Sequence, residues 1–254
     1  MNRKISFGRI VDSLPVNTMF YRFCRRYVEH YNGENNSDMY SNGEFRWLRE
    51  VLPRCKVVFD VGANVGDWTA LARNVNPAIQ VHCFEPSGPT FQRLQMQSFG
   101  EAQISLNQIG LSASAGEIAL HVFEEGAGAN SLYRREGLGT GQTRMEKVRL
   151  DTLDAYCQRR AVSQIDLLKL DVEGHELMVL KDAAQMLGEG RIRRIQFEYG
   201  GTYIDSRTLL KDVFELLCSY GYRLHKIYPH QLYPVVGYEQ RLENLVYQNW
   251  VALR

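Results

Sequence analysis

Apolar and polar positions change period several times along the chain, and each change marks an element. Residues 17–31 place Met19, Phe20, Phe23, Cys24, Tyr27, Val28 and Tyr31 at helical spacing, with Arg22, Arg25, Arg26 and His30 mostly on the other face. An amphipathic helix is expected there, docked on the main domain. A dimer contact, or a lid with a basic lip toward an acidic substrate or membrane surface, is the alternative. Residues 32–44 are polar and rich in Gly and Asn, and read as a linker. Near-continuous apolar runs then follow from Val57, at 80–85, near Ile104, at 165–172 and at 192–199. Helical patterns separate most of them, as in 175–187 after Gly174. Apolar strands alternating with helices predict a doubly wound, mostly parallel α/β sheet covered on both faces.

Between the third and fourth runs, residues 117–150 alternate at their ends and carry Gly126, Gly128, Gly137, Gly139 and Gly141 in the middle, which predicts an inserted hairpin with a glycine-rich loop. Leu209, Leu210, Val213, Phe214 and Leu217 form one face of a helix that Gly221 stops. A strand follows it, and a last strand lies near 245–253. The expected organisation is an N-terminal helical extension and linker over 1–44 and one α/β domain over 45–254, with no internal repeat.

Composition narrows the partners. Of 254 residues, 44% are hydrophobic and 23% charged, enough to build a core. Thirty basic against 29 acidic residues give no net field for nucleic acid. Five cysteines, none in a C-x-x-C pair, suit a reducing compartment better than disulfides or zinc. No apolar run approaches a membrane span, and Arg9 and Asp12 interrupt any signal-like stretch, so a cytoplasmic protein is expected.

The chemistry concentrates at strand ends. Asp60-Val-Gly62-Ala63-Asn64-Val-Gly66-Asp67 lies between a strand and a helix, where open α/β sheets bind ligands. A dinucleotide fingerprint would want glycine at 62, 64 and 67, and two of those three positions lack it. Glu85 ends the next strand, where an acid can accept both hydroxyls of a ribose. Asp60 would repel a diphosphate but suits the ammonium of a methionine moiety. Asp60, Glu85, Asp171 and Glu198 each fall near the carboxyl end of a different strand, an arrangement whose desolvation is costly unless it is used. Any one of them could instead be a helix cap or an ion-pair member.

Asp60 to Gly66, Phe84-Glu85-Pro86 and the run from Asp166 to Glu176 (DLLKLDVEGHE), in this order, resemble the FkbM-type family of S-adenosylmethionine-dependent methyltransferases. The resemblance runs from about Val57 to Tyr199. It implies a class I methyltransferase (Rossmann-like) fold with a seven-stranded sheet, and methyl transfer to a hydroxyl of a sugar, glycan or natural product. By position it implies that Asp60, Gly62, Ala63 and Asn64 line the methionine and ribose end, and that Glu85 holds the ribose with Pro86 beside the adenine. Asn107 would lie at the adenine edge, and Asp171 would approach the cofactor.

The acceptor proton needs a base, for which Asp171, Glu173, His175 and Glu198 are candidates. A divalent cation held by those carboxylates is the less favoured route. His175 at a helix start would be kept neutral by the helix dipole, or would be an exposed first-turn residue. Lys169, inside an apolar strand, should reach out or pair with an acid. Tyr199, Tyr203, Tyr228, His230, Tyr233 and Tyr238 could wall an acceptor or simply pack. Two rival readings remain. One is an NAD-dependent dehydrogenase or epimerase using Tyr222 and Lys226 (Y-x-x-x-K), which strand spacing disfavours. The other is a catalytically silent cofactor-binding subunit. Nothing in the sequence sets an oligomeric state.

Overall fold

The computed structural model describes residues 16–97, 99, 103–122, 130–134 and 144–254. Most of the glycine-rich loop expected inside the insertion lies outside them. Helix α1 (Thr18–Asn32) leads into a turn and α2 (Glu44–Val51). Then come β1 (Val57–Val61), α3 (Asp67–Val75), β2 (Gln80–Phe84), α4 (Gly88–Met96) and β3 (Ile104–Asn107). The insertion holds β4 (Gly110–Leu111), β5 (Gly116–Val122) and β6 (Arg144–Asp151). The second half runs α5 (Leu153–Arg159), β7 (Leu167–Leu170), α6 (Glu176–Asp182), α7 (Ala184–Gly188) and β8 (Arg194–Tyr199). It ends with α8 (Thr202–Ser206), α9 (Leu210–Ser219), β9 (Arg223–Ile227), β10 (Leu232–Val235) and β11 (Gln248–Leu253).

The main sheet has the order β10-β9-β11-β8-β7-β1-β2-β3. Strands β3, β2, β1, β7 and β8 are parallel, and β11, β9 and β10 join antiparallel. The sheet therefore has eight strands where seven were expected. The extra one, β10, contains Pro234, which cannot donate to a ladder and argues against an interior strand; it is tolerated because β10 is an edge. The expected hairpin exists as β5 and β6, paired antiparallel, but with β4 it forms a separate three-stranded sheet.

Alternate strand residues feed two cores. Phe59, Val61, Leu168, Leu170, Ile195 and Phe197 pack with α5, α6, α7 and α9. Val58, Val81, Cys83, Leu167 and Val251 pack with α2, α3 and α4. The short period of a strand thus explains why runs that look uniformly apolar need a helix layer on each side.

The N-terminal region departs from expectation. No residue of α1 is buried, and among the described residues the helix does not dock along its length; its end, at Tyr31, meets Tyr228 and His230. Conversely, the expected linker is partly inside: Asn42, Gly43 and Glu44 are buried, because Glu44 opens α2 and points under the sheet. No helix among the described residues is long and apolar enough to cross a membrane.

Candidate active site

The turns after β1, β2 and β7 converge at the carboxyl edge of the sheet. The N–H groups of Gly62 and Ala63 both donate to the Phe84 carbonyl at 3.0 Å, and the Asp171 N–H donates to the Val61 carbonyl at 3.0 Å, which ties the three turns together. Gly62 sits at φ +82°, and a Cβ there would lie 1.8 Å from the Asp171 carbonyl oxygen, so only glycine permits this approach. Beside the turns opens a cleft. Gly62, Asn64, Glu85, Pro86, Asp171, Glu173 and His175 all line it; Phe84, Leu111, Leu120 and Leu150 give it an apolar wall. The inserted sheet supplies much of that wall. It is locked to the β2–α4 turn by Glu146, which accepts from Ser87 Oγ at 2.9 Å and from the Gly88 N–H at 2.7 Å.

Glu85 is buried on the cleft wall. Its two oxygens accept from the Asn64 N–H at 3.1 Å and the Ser87 N–H at 2.9 Å, which fixes the carboxylate plane. Burial pushes its pKa up to about 7, against the pull of those two N–H groups. Asn64 adopts φ +48°, and its Oδ1 is buried on the cleft without a partner, as is Thr90 Oγ1. Two orphaned polar atoms on a cleft wall are what a polar ligand would satisfy.

Three residues expected at the cofactor lie elsewhere. Asp60 does not line the cleft: it faces α3, fully buried, accepting from Thr69 Oγ1 at 2.6 Å and pairing with Lys169 Nζ at 3.3 Å. Its position on β1 has the parity of Val58, which packs in the core beneath α2, α3 and α4. Ala63 contributes its backbone but does not reach the cleft. Asn107 turns back onto the sheet, with Nδ2 donating to the Cys83 and Ser105 carbonyls and Oδ1 accepting from Tyr156; Gly110 and Leu111 occupy the cleft edge instead.

A second polar group lies under the same edge. Lys169 bridges Asp60 and Asp171, the latter at 3.2 Å, with its ammonium 5.5 Å from the Trp68 ring centroid. Burial works against its charge, but Asp60, Asp171 and Glu44 outweigh that and raise its pKa. Glu44, absent from the sequence-based candidates because it ends the polar segment read as linker, accepts from Trp68 Nε1 at 3.1 Å, Gln196 Nε2 at 2.5 Å and Asn249 Nδ2 at 3.3 Å. Glu198, half-buried, stands against Asp171. Burial first, then the charges of Asp171, Glu173 and Glu176, push its carboxyl well above the usual range, so it holds a proton toward Asp171.

His175 is neither exposed nor governed by the helix end. It is buried between Ser112 Oγ at 2.9 Å from Nε2 and the Tyr133 hydroxyl at 2.8 Å from Nδ1, and burial lowers its pKa to about 4. A neutral imidazole with both nitrogens engaged positions neighbours rather than taking a proton. Glu173, at φ +53°, lines the cleft, and its carbonyl accepts from Ser131 Oγ at 2.9 Å. Glu176 holds this turn from below, accepting from the Val172 and Gly174 N–H groups. Among the described residues no group of three or more His, Cys, Asp or Glu is placed to hold a metal ion.

The Tyr222–Lys226 pair does not form a dyad. The Tyr222 hydroxyl donates to the Ile192 carbonyl, while Lys226 pairs with Glu34 and lies over Trp250. The aromatic residues divide likewise: Tyr199 and Tyr203 pack edge to face in the core, and Tyr228 and Tyr233 stack near α1.

The methyltransferase FkbM domain matches residues 60–224, about two thirds of the chain. The protein belongs to the FkbM methyltransferase family. Relatives include the hexuronic acid methyltransferase AglP of Haloferax volcanii, 29% identical over 143 residues, covering 56% of this chain and 56% of AglP. The 31-O-demethyl-FK506 methyltransferase FkbM of Streptomyces tacrolimicus is 27% identical, covering 65% of this chain and 72% of that enzyme. Among solved structures, precorrin-6y C5,15-methyltransferase from Geobacter metallireducens superposes with a TM-score of 0.45 at 10% identity, covering 83% of this chain and 87% of that one. The chain spans little more than half the length of AglP. The FkbM match starts at Asp60, so α1 and α2 lie outside it.

Proposed function

We propose that this FkbM-family protein is an S-adenosylmethionine-dependent O-methyltransferase whose acceptor is a hydroxyl of a sugar, glycan or natural product. The observation that carries the reading is Glu85. It is a buried carboxylate fixed by two backbone N–H groups on the wall of a largely apolar cleft, at the end of the second parallel strand, where a ribose is held in folds of this topology. The cleft fits the cofactor: Glu85 would take the ribose hydroxyls, Asn64 Oδ1 would gain a donor, and Pro86, Leu111 and Leu150 would flank the base.

When bound, the cofactor supplies an electrophilic methyl carbon on a sulfonium. The chain's own contribution is to orient an acceptor hydroxyl toward that position and remove its proton. Asp171 lines the cleft and is held by Lys169, and Glu198 lies directly behind it. Glu198 already holds a proton toward Asp171, so Asp171, the carboxylate that lines the cleft, is assigned the acceptor's proton and Glu198 positions it from behind. His175 keeps Tyr133 and Ser112 in place and stays neutral. Of the rival readings, the dehydrogenase is disfavoured because its two residues are apart; a silent cofactor-binding subunit would bind but not turn over.

The test is methyl-group-labelled cofactor incubated with pyranosides, glycolipids and macrolide alcohols. Label transfer to oxygen supports the proposal, and transfer to nitrogen or carbon alone refutes the O-methyl assignment.

A further inference from the structure

Helix α1 is closed at both ends by its own sequence. Asn17 caps its start by accepting from the Phe20 N–H, Gly33 at φ +70° closes its end, and Arg25 pairs with Glu29 one turn on. Yet Met19, Phe20, Phe23, Tyr27, Val28 and Tyr31 are all half or more exposed, Met19 at 77%. At 100° per residue these side chains and Tyr21 sweep an arc of about 200°. Arg22, Arg25 and Arg26 occupy the remaining arc, against the single acid Glu29.

The position of the helix adds a second observation. Strand β9 runs antiparallel to β11, which runs antiparallel to β8, so β9 ends at the same edge as β7 and β8, where the cleft opens. Tyr228, just after β9, carries the end of α1 through Tyr31 and stacks on exposed Tyr233 of edge strand β10. The Asn32 carbonyl accepts from Gln248 Nε2 at 2.7 Å, and the Asn35 N–H donates to the carbonyl of Tyr247, next to the acidic group at the cleft. The aromatic surface therefore runs from the end of α1 onto β10, on the sheet edge toward which the cleft opens.

We propose that α1 docks the protein onto an anionic lipid surface, with its aromatic arc in the headgroup boundary and its arginines against the lipid charge. An aromatic face with an arginine-rich opposite face is the composition of helices that lie in a membrane interface. A second copy of the chain would cover the aromatic arc but leave Arg22, Arg25 and Arg26 without a complementary charge, whereas an anionic surface engages both. Resting on the methyltransferase reading, the docked orientation brings the cleft edge to hydroxyl acceptors carried at that surface.

The experiment is cosedimentation of the full chain with phosphatidylcholine vesicles with and without 30% phosphatidylglycerol, in the absence of cofactor, so its outcome is independent of the methyltransferase assignment. Binding to the anionic vesicles is expected, weakening as salt rises. Phe20→Asp with Phe23→Asp should abolish it, while cofactor affinity and melting temperature stay within error of the native chain. Replacing Arg22, Arg25 and Arg26 with Gln should weaken it by about two orders of magnitude, from about 1 kcal/mol per basic residue. Absence of vesicle binding overturns the proposal. So does binding that survives the Phe substitutions, or a concentration-dependent dimer that they dissolve without any lipid binding.

Discussion

Replacing Glu85 isolates the cofactor assignment from the rest of the fold. Its carboxylate presents one face to the Asn64 and Ser87 N–H groups and the other to the cleft, so Glu85→Ala removes up to two charge-assisted hydrogen bonds to a ribose. At about 1.5–3 kcal/mol each, and allowing for water refilling the gap, the net loss is about 2–4 kcal/mol, or about 30-fold to 1000-fold in Kd. The pH dependence sharpens the test. With a pKa near 7, the carboxyl is roughly 90% protonated at pH 6 and roughly 90% ionised at pH 8. Hydroxyl donors prefer the ionised form, so native affinity should tighten about tenfold over that range, and Glu85→Gln should bind weakly and flatly with pH. Calorimetric titration with S-adenosylmethionine at both pH values, alongside a thermal melt of each variant, reads both effects. A cooperatively melting Glu85→Ala protein whose Kd lies within threefold of native would refute the reasoning.

The remaining predictions concern the acids and the lysine beneath the cleft. Asp171→Asn should lower kcat at least a hundredfold with cofactor Kd unchanged within threefold, measured by label transfer and titration, while Glu198→Gln, which keeps a neutral hydrogen-bond donor behind Asp171, should retain most of the turnover; full turnover in Asp171→Asn would remove it as the proton acceptor. Lys169→Met leaves Asp60 buried with Thr69 alone, an uncompensated charge worth about 3–5 kcal/mol, so the melting temperature should fall on the order of 10 °C; a fall of under about 2 °C contradicts the pairing. Burial raises the Glu176 carboxyl to about 7 in the folded chain. Its contribution to stability is therefore fully present below about pH 4.5 and lost as pH rises through about 7, a difference on the order of 3 kcal/mol. Glu176→Gln should match the native melt near pH 5 and exceed it at pH 8, and a constant offset across that range would refute the assignment.

The parallel sheet was legible because its strands are continuous apolar runs set between helical periods, and the cleft because Gly62, Glu85 and Asp171 fall at strand ends, where topology gathers them. What period alone could not give was the face each polar residue turns to. Asp60 and Asn107 sit at the right ends but point into the α3 layer and back onto the sheet, satisfied by Thr69, Lys169 and carbonyls. Glu44 was invisible as chemistry, since one acid at the end of a polar, glycine-rich segment carries no local sign that Trp68, Gln196 and Asn249, at far sequence separations, will close around it. Likewise Ser112 and Tyr133 come from the insertion, and only the three-dimensional fold brings them to either side of His175. Strand β10 was masked by Pro234, which reads as a break unless the strand is known to be an edge.

The most direct measurement of the central claim is calorimetric titration of the purified chain with S-adenosylmethionine, S-adenosylhomocysteine and NAD side by side. Micromolar binding of the first two, at one site per chain and without measurable NAD binding, is the predicted result. Binding of NAD alone would contradict the account and return the cleft to dehydrogenase chemistry.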